Sequence, residues 1–355
     1  MARLFPALAL VAVLALMVVH PRAQSNEPFK LGSFQQGSDT FAGLVLADRL
    51  VVRLDKAEAA LPRDILQIIS RYDELRTRLQ AIANRLAQQA QSRPAYVFDL
   101  KSVTVRPPVM PGTILNAAVN YTEHAEEMQQ QAAASAPPPP PIPGVWERRQ
   151  GDTRHNPYLF MKARSAVIAD GVPIRIPPGR ERIDWECELS IVVGRAASRV
   201  PVERAAEHIF GYTLQNDVSD RGGRGDGRHG SDWLIGKSHD TFAPLGPYLV
   251  PREFVPDPQK LAIKFTLNGA VMQDSSTARM THTVHELLSY ASHIMTLTPG
   301  DVIATGSPAG VGTARATPIY MKPGDLAVCS IERIGVLSNP VAGASAVSAN
   351  QENGR

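Results

Sequence analysis

The spacing of apolar and polar residues divides the chain into a strand-like part, a helical part and a second strand-rich part. Residues 29–54 alternate apolar residues with turn formers, as in FAGLVLADRLVVRL, and predict a small β-rich unit. Between Ile68 and Leu86, apolar residues recur at steps of four and three, which predicts one long amphipathic helix that Pro94 terminates. From Val103 onward, short apolar runs between Pro-Gly turns predict strands with few helices.

Three acids occupy every second position at the start of the stretch DWECELSIVVGR, residues 184–195. Side chains of a strand alternate between its faces, so Asp184, Glu186 and Glu188 share one face. The other face is apolar and consists of Trp185, Cys187, Leu189, Ile191 and Val193. Buried like charges are costly unless positive charge compensates them. This stretch leaves two interpretations open, a solvated outer face and a site for a hard cation with oxygen ligands.

The segment NYTEHAEEM carries a histidine and a glutamate on one predicted helix face. Asn120 followed by Glu123 is the pattern of a capping box and predicts a helix start. His124 and Glu127 are three residues apart and therefore share a face. A carboxylate beside an imidazole fixes its tautomer and raises its basicity, which suits a general base acting on water. An ordinary solvated His/Glu pair is the alternative.

Further candidate groups lie in the second half of the chain. Asp217, in GYTLQNDVSDRG, follows a predicted strand at 210–215 and offers a third carboxylate for Mg²⁺, Mn²⁺ or Ca²⁺. Lys237, in WLIGKSHDTFAPLGP, is suited to hold a developing oxyanion, with a surface lysine as the alternative. The glycine-rich turn that starts at Thr305 offers backbone N–H groups to an anion. The histidines of HTVHELL are three residues apart, not four, which argues against a zinc-protease helix.

Composition narrows the class of protein. The 355 residues are 44% hydrophobic, enough for one large core or two smaller ones. The net charge of +3 and the scattered basic residues give no support for a nucleic-acid partner. Cys187 and Cys329 lie in apolar, strand-like runs, which favours two buried thiols and leaves a single disulfide open.

The N-terminus has the pattern of a secretory signal peptide. Arg3 precedes an apolar run at residues 4–19, and Ala23 offers a small residue for cleavage. We therefore expect a signal peptide at 1–23 and a folded part that begins near Gln24, in the periplasm or secreted. An uncleaved anchor is the alternative, although the run is short for a membrane span. The Ala/Pro-rich residues 129–144 predict an exposed loop or lid hinge, and residues 341–355 a disordered tail.

Five motifs together resemble the fumarylacetoacetate hydrolase family. NYTEHAEEM, DWECELSIVVG, GYTLQNDVSDR, GKSHDTFAPLGP and MTLTPGDVIATGSPAGVG occur in the family's order and approximate spacing. The resemblance covers about residues 115–336, and residues 30–54 look like the family's small N-terminal domain. It implies an α+β, mostly β fold with two domains. The N-terminal domain, residues 24–105, has one long helix. The catalytic domain, residues 106–340, has a mixed rolled sheet. The resemblance also implies a homodimer.

The resemblance assigns a role to each candidate residue. It implies Mg²⁺ or Mn²⁺ on Glu186, Glu188 and Asp217, water activation by His124 and Glu127, an oxyanion contact from Lys237, and substrate contacts from Arg221, Gln273 and Thr305. Asp184 is not a matched ligand and either supports the site or is solvated. The departures are Asp220-Arg221-Gly222, where relatives often have Ala-Arg-Asp, and the Gly/Arg-rich residues 221–230. The Ala/Pro insertion is a further departure, because it lengthens the segment behind the catalytic helix, where relatives have a lid. The resemblance places these changes where substrate would be selected.

The expected function is metal-dependent hydrolysis of a carbon–carbon bond in a β-diketone or 2-oxo acid, as in the catabolism of aromatic compounds. A decarboxylase, hydratase or isomerase on the same metal-enolate site is the first alternative. A periplasmic protein that binds an oxo acid without turnover is the second, and the His124–Glu127 pair argues against it. A coiled-coil scaffold centred on residues 68–86 leaves all five motifs unexplained. We expect a small-molecule partner, no nucleic acid, and no membrane contact after signal cleavage.

Overall fold

The computed structural model describes residues 26–88, 93–131, 152, 154–223 and 232–344. The predicted signal peptide lies outside these residues, as do most of the Ala/Pro-rich loop, the Gly/Arg-rich loop and the C-terminal tail. None of the helices in the described part of the chain has the length and hydropathy that a membrane span requires.

Short strands account for most of the regular structure. The strands of the described residues are β1 (Phe29–Gln36), β2 (Asp39–Leu46), β3 (Leu50–Arg53), β4 (Val97–Asp99), β5 (Thr104–Val105), β6 (Ile114–Ala118), β7 (Tyr158–Met161), β8 (Val167–Ile168), β9 (Ile174–Arg175), β10 (Ile183–Asp184), β11 (Cys187–Val193), β12 (Ile209–Asn216), β13 (Ser219–Asp220), β14 (Ala243–Pro251), β15 (Ala262–Leu267), β16 (Ala270–Ser276), β17 (Val302–Ala304), β18 (Leu326–Ile331) and β19 (Gly335–Ala342). The helices are α1 (Leu54–Ala57), α2 (Ile65–Ser70), α3 (Tyr72–Gln88), α4 (Thr122–Gln131), α5 (Trp233–Lys237) and α6 (Val284–Ile294). Single turns of 3₁₀ helix lie at Leu100–Ser102, Arg164–Ala166, Arg252–Phe254 and Thr277–Arg279, with a longer one at Val202–His208.

Two large mixed sheets hold all of these strands except β10 and β13, which pair with each other in a separate two-stranded sheet. The path of the larger sheet is β4-β3-β2-β1-β14-β12-β11-β17-β6-β7, with β5 beside β1 and β8 beside β14. The smaller sheet has the order β16-β15-β18-β19-β9. Most pairs are antiparallel, and β6–β17, β8–β14 and β9–β19 are parallel. The predicted α+β, mostly β fold with mixed sheets is confirmed. The β-rich unit at residues 29–54 forms β1 to β3 and joins the larger sheet through β14.

Strand β11 lies at the centre of the core. All seven of its residues are buried, which explains why the stretch reads as an almost continuous apolar run. One side packs against the smaller sheet, where Trp185, just before β11, stacks on Phe265 of β15 with ring centroids 5.2 Å apart. The other side carries the buried acids.

The predicted long helix is two helices. Ile68 lies on α2, which ends at Ser70, and the seam continues on α3 after Arg71 leaves helical geometry (φ −112°, ψ 18°). The seam residues of α3 are buried, and Tyr72 packs edge-on against Phe210 of β12, so the seam faces the protein's own core. The pattern predicted the helical segment and its buried face but missed the break, because a single non-helical residue leaves the apolar spacing almost unchanged.

The preference for two buried thiols is wrong, and the alternative that the sequence left open is found. Cys187 on β11 and Cys329 on β18 form a disulfide, with their Cα atoms 5.5 Å apart. The two residues are 142 positions apart in the chain, and only the packing of the smaller sheet on β11 brings them together. The described residues contain no free cysteine.

Candidate active site

Three carboxylates meet where strands β11 and β12 end. The β11–β12 ladder ends with the pair Cys187 and Asn216, so Glu186 and Asp217 are the next residues outward on each strand. The Asp217 N–H donates to the Glu186 carbonyl at 2.8 Å, and the Glu186 N–H donates to the Asn216 side chain at 3.0 Å. These bonds place one ligand atom each from Glu186, Glu188 and Asp217 within 4.8 Å of one another.

The alternation predicted that the three acids lie on one strand, and this is wrong. Asp184 belongs to the short strand β10, which pairs with β13, and Glu186 lies between β10 and β11. Asp184 is fully buried, so the solvated interpretation is wrong for it. Its carboxylate accepts the N–H of Gly312 at 2.6 Å and of Thr313 at 3.1 Å, and it accepts from Arg221 at 3.0 Å. Asp184 therefore orients Arg221 and the 312–313 turn.

Two predicted cations contact the acid cluster. The Lys237 ammonium, at the end of α5, donates to Glu186 at 2.7 Å and to Asp217 at 2.5 Å. The Arg221 guanidinium donates to Asp184 and Glu186. Lys237 is 2% exposed, which excludes the surface-lysine interpretation.

Sequence reasoning missed a third cation, Lys162. It follows β7 directly, and its fully buried ammonium donates to Asp217 at 2.5 Å and to the Val218 carbonyl at 3.0 Å. Burial lowers the pKa of Lys162 to about 8, against the opposing attraction of Asp217. Its one sequence signal is a lysine directly after the apolar run YLFM, and such a signal does not separate a buried lysine from a surface one.

The electrostatics fit a hard cation. Four buried carboxylates, those of Asp184, Glu186, Glu188 and Asp217, outnumber the three cations in contact with them. Burial and the neighbouring carboxylates raise the pKa of Glu188 well above its usual range. Burial also acts to raise the pKa of Glu186, but Lys237 and Arg221 hold that pKa well below its usual range. Oxygen donors this close together and short of positive charge suit Mg²⁺ or Mn²⁺.

A glycine turn supports Glu188. The Gly306 N–H donates to the Glu188 carboxylate at 2.8 Å. Gly306 has φ +91°, and a Cβ there would lie 2.7 Å from the Asn120 Cβ, so any larger residue would clash. The predicted anion-holding turn after Thr305 therefore binds a carboxylate of the protein itself.

The predicted His/Glu pair forms on helix α4. His124 is 4% exposed, and its Nδ1 lies 3.0 Å from the Glu127 carboxylate. Glu127 also accepts the Gly310 N–H, at 3.1 and 3.3 Å to its two oxygens. The carboxylate is thus fixed from two sides and presents the imidazole in one orientation, which suits a base whose Nε2 is the active nitrogen. The imidazole is buried and the carboxylate is partly buried, so the pair is not an ordinary solvated one.

The predicted capping box at Asn120 is wrong. Helix α4 begins at Thr122, and the Asn120 side chain instead donates to the carbonyls of His282 and Thr305, at 2.9 and 2.8 Å, and accepts the His282 N–H at 2.9 Å. Tertiary contacts outweigh the local helix-start pattern here, because the amide forms hydrogen bonds with buried backbone groups of two distant loops. Asn120 therefore fixes the entry to α4.

A cavity of about 90 Å³ joins these groups. Its lining includes His124, Glu186, Arg221 and Lys237, with Phe160 and Trp233 forming an aromatic wall in which the ring centroids lie 4.8 Å apart. The cavity thus brings a fixed imidazole, two cations and a carboxylate of the acid cluster to one small space.

The other two predicted substrate contacts, Gln273 and Thr305, are not among the residues that line this cavity. The Gln273 amide accepts from the Cys187 N–H at 3.1 Å and donates to Ser307 and the Pro308 carbonyl, at 2.8 and 2.7 Å. The Thr305 hydroxyl donates to the Leu189 carbonyl at 2.8 Å. Both side chains hold the 305–310 turn against β11, and a substrate contact from either one stays a prediction.

Sequence comparisons match most of the chain to known proteins. A sequence profile of the fumarylacetoacetate (FAA) hydrolase C-terminal domain matches residues 113–342. A mitochondrial oxaloacetate tautomerase of Bos taurus is 34% identical over 292 residues, which are 82% of this chain and 83% of the relative.

Solved structures also match most of the chain. A fumarylacetoacetate hydrolase of Exiguobacterium antarcticum is 28% identical with a TM-score of 0.69, over 89% of this chain and 99% of the other. A maleylpyruvate hydrolase of Sphingobium sp. SYK-6, in complex with manganese(II) and pyruvate, is 26% identical with a TM-score of 0.66, over 89% of this chain and all of the other. The named relatives are enzymes, and the profile match spans more than half of the chain. The chain belongs to the fumarylacetoacetate hydrolase family.

Proposed function

We propose that the protein is a divalent-metal-dependent enzyme that interconverts the keto and enol forms of a short 2-oxo acid. The observation that carries the proposal is the fixed His124 imidazole, which lines the same 90 Å³ cavity as Glu186 of the acid cluster. A cavity of this size favours a substrate of few carbon atoms. The tautomerase relative, at 34% identity, supports this reaction over the hydrolysis that sequence analysis preferred.

Each residue of the site has a part in such a reaction. A divalent cation held by Glu186, Glu188 and Asp217 would supply a Lewis acid for the adjacent oxygens of a 2-oxo acid. His124 takes a proton from C3 of the substrate, and the electron pair of that C–H bond moves toward the C2 oxygen. Lys237 donates a proton to that oxygen. The proton that His124 took then passes through solvent to Lys237, which restores both side chains. The net change is the transfer of one proton from carbon to oxygen.

Arg221 and Lys237 give the site its selectivity for anions. Arg221 and Lys237 both line the cavity, so the substrate carboxylate meets positive charge there. Lys162 does not line the cavity and instead donates a hydrogen bond that holds the Asp217 carboxylate in place. Phe160 and Trp233 keep the wall beside Lys237 apolar, and the Lys237 ammonium lies 5.0 Å from the centre of the Phe160 ring.

Hydrolysis of a carbon–carbon bond is the second candidate. The orientation of His124 by Glu127 favours it, because an imidazole of fixed tautomer also suits the deprotonation of water. The water oxygen would bond to the distal carbonyl carbon while His124 takes the proton. The broken bond would leave its electron pair on the carbon next to the 2-oxo group, and that carbon would be protonated. A maleylpyruvate hydrolase among the structural relatives supports this candidate.

One pair of assays decides between the two reactions. The purified chain is stripped of metal, reloaded with Mn²⁺ or Mg²⁺, and given enol-oxaloacetate in one assay and short acylpyruvates in the other. We expect faster keto–enol exchange with metal than with EDTA, and slower or no release of pyruvate from acylpyruvates. Dominant pyruvate release would favour the hydrolase. Binding of 2-oxo acids with no turnover of either substrate would identify a binding protein and overturn the proposal.

We also propose that the protein is exported and acts as a homodimer. The pattern of residues 1–23 supports export, and a disulfide is consistent with an oxidising compartment. Light scattering of the purified protein tests the homodimer.

A further inference from the structure

We propose that the Cys187–Cys329 disulfide is a brace for the metal site, and that the protein acquires its full metal affinity only once this bond has closed. The inference rests on the metal site proposed above. Cys187 stands in the chain between two of the three candidate ligands, Glu186 and Glu188. Side chains alternate along an extended chain, so the sulfur points away from the metal side while its neighbours point toward it.

The disulfide lies at the end of β11 where the hydrogen-bonded pairing with β12 stops. Cys187 and Asn216 are the last pair between β11 and β12, and Glu186 lies one residue beyond that pair. Strand ends without ladder bonds open more readily than strand centres. Glu186 therefore depends on contacts outside the ladder to hold its position against Glu188 and Asp217.

The smaller sheet is a rigid partner for that strand end. Cys329 lies on β18, opposite Phe265 of β15 on one side and Leu337 of β19 on the other, so it is paired on both edges. Gln273 of β16, in the same sheet, accepts the Cys187 N–H at 3.1 Å. The residue between the two ligands is thus held to one sheet through both its backbone and its sulfur.

Burial makes the bond a permanent brace and not a switch. Cys187 is 0% exposed and Cys329 is 1% exposed, so a reductant reaches the sulfurs only when the core opens. The bond must consequently form during folding. Its closure takes two protons and two electrons from the thiols, and a disulfide oxidant such as glutathione disulfide or a dithiol oxidoreductase in its disulfide form accepts them. That requirement suits a compartment outside the cytoplasm.

The test compares Mn²⁺ affinity with and without the bond. The double variant Cys187→Ala/Cys329→Ala removes both sulfurs and touches no ligand. Ile331→Ala is the matched control, because Ile331 lies on the same buried face of β18 and is 3% exposed. The metal-stripped exported chain is titrated with Mn²⁺ by calorimetry in all three forms.

We expect the double variant to bind Mn²⁺ about ten-fold more weakly, within the range of about 10- to 100-fold that loss of a group supporting a ligand costs. We expect the control to stay within about two-fold of wild type. If the double variant does not fold, wild-type chain produced in a reducing compartment gives the same comparison between dithiol and disulfide forms. Mass spectrometry after iodoacetamide reports which form is present.

The outcomes separate the brace from the metal site. Equal Mn²⁺ affinity with and without the disulfide overturns the brace and leaves the metal site intact. An equal loss in the Ile331→Ala control also overturns it, because the effect would then be general loosening of β18. Two free thiols in the exported protein overturn it as well. A disulfide-closed wild type that binds no Mn²⁺ overturns the metal site and the brace together.

Discussion

The Glu188 side chain is 1% exposed and shares its surroundings with Glu186 and Asp217. Burial and these two carboxylates raise its pKa, so ionised Glu188 is unfavourable unless a cation is present. A core residue selected for stability alone would be apolar here, because its backbone neighbours on β11 are apolar. The unfavourable free energy of a buried, ionised Glu188 is therefore the argument, at the scale of one residue, for a metal ion at this site.

Glu188→Gln is expected to abolish tight metal binding without unfolding the protein. Glutamine keeps the oxygen that accepts the Gly306 N–H but removes the charge. We expect Mn²⁺ affinity to fall by at least about 100-fold, above the range for loss of a supporting group. The thermal midpoint of the metal-free protein should not fall, because the substitution removes a buried carboxyl group whose charged form is repelled by Glu186 and Asp217.

Titration calorimetry and elemental analysis of the purified variant check this. Glu332→Gln is the control, because Glu332 is an exposed acid that contacts its neighbour Arg333 and accepts the Ala262 backbone N–H. Unchanged metal content in Glu188→Gln would contradict the assignment.

His124→Ala is expected to lower kcat by about 10²- to 10⁴-fold, the usual contribution of a general base. Glu127→Gln should lower kcat less, because Gly310 still orients residue 127 while the imidazole loses its anionic partner. Neither variant should change the Mn²⁺ content, since both residues lie on α4 and the ligands do not. Steady-state kinetics with the substrate found in the paired assays measures this. A His124→Ala enzyme with near wild-type kcat would remove the base from the mechanism.

Helix α4 shows at the scale of an element how the catalytic pair is positioned from outside the helix. Its first turn has no capping box, and the entry is fixed by three hydrogen bonds of Asn120 to the loops at His282 and Thr305. Its Glu127 contacts the turn at Gly310. The 305–310 turn thus contacts both the helix with the base and, through Gly306, the ligand Glu188.

Asn120→Asp is expected to weaken both the fold and the reaction. A carboxylate cannot donate to the two carbonyls that the amide now satisfies, so we expect a loss of about 3 kcal/mol in the free energy of unfolding. The value of kcat should fall further than the affinity for Mn²⁺, because the change acts on the entry to α4. Urea denaturation and steady-state kinetics measure the two effects.

Thr283→Ala serves as the control for stability alone. Thr283 forms the capping box of α6 with Glu286, away from the cavity lining. Its loss should cost about 1 kcal/mol and leave kcat unchanged. If Asn120→Asp lost no more stability than this control and kept its kcat, the anchoring role of Asn120 would be wrong.

At the scale of the molecule, the site lies on one face of strands β11 and β12, and the smaller sheet is bonded to their opposite face. The larger sheet supplies β11 and β12, and the smaller sheet covers their far side through the disulfide and the Trp185–Phe265 stack. The chain between the two cysteines spans 142 positions, so the bond also restricts the unfolded state strongly.

Export is the prediction at this scale. The charged start, the apolar run and Ala23 predict that the mature chain begins near Gln24. Intact-mass spectrometry of protein from the native host is expected to give a species that lacks about the first 23 residues and carries a closed disulfide. A full-length cytoplasmic species with two thiols would contradict the prediction.

The sequence alone determined the features that depend on near neighbours in the chain. Alternation predicted the strands at residues 29–54 and β11, and helical spacing predicted the buried face of α2 and α3, because periodicity follows from local backbone geometry. The i, i+3 spacing predicted that His124 and Glu127 meet. Five motifs in order predicted the family, which the profile match and the relatives confirm.

Tertiary structure alone decided what depends on packing between distant segments. Lys162 and Asp217 are 55 positions apart, and the two cysteines are 142 apart. No local pattern encodes such pairs, since their contact follows from which strands pair and which sheet faces pack. The same reason explains the error at Asn120, whose amide was assigned to its own helix but satisfies buried loops more than 160 positions away. Burial then decides whether a lysine or an acid is a surface group or part of a site.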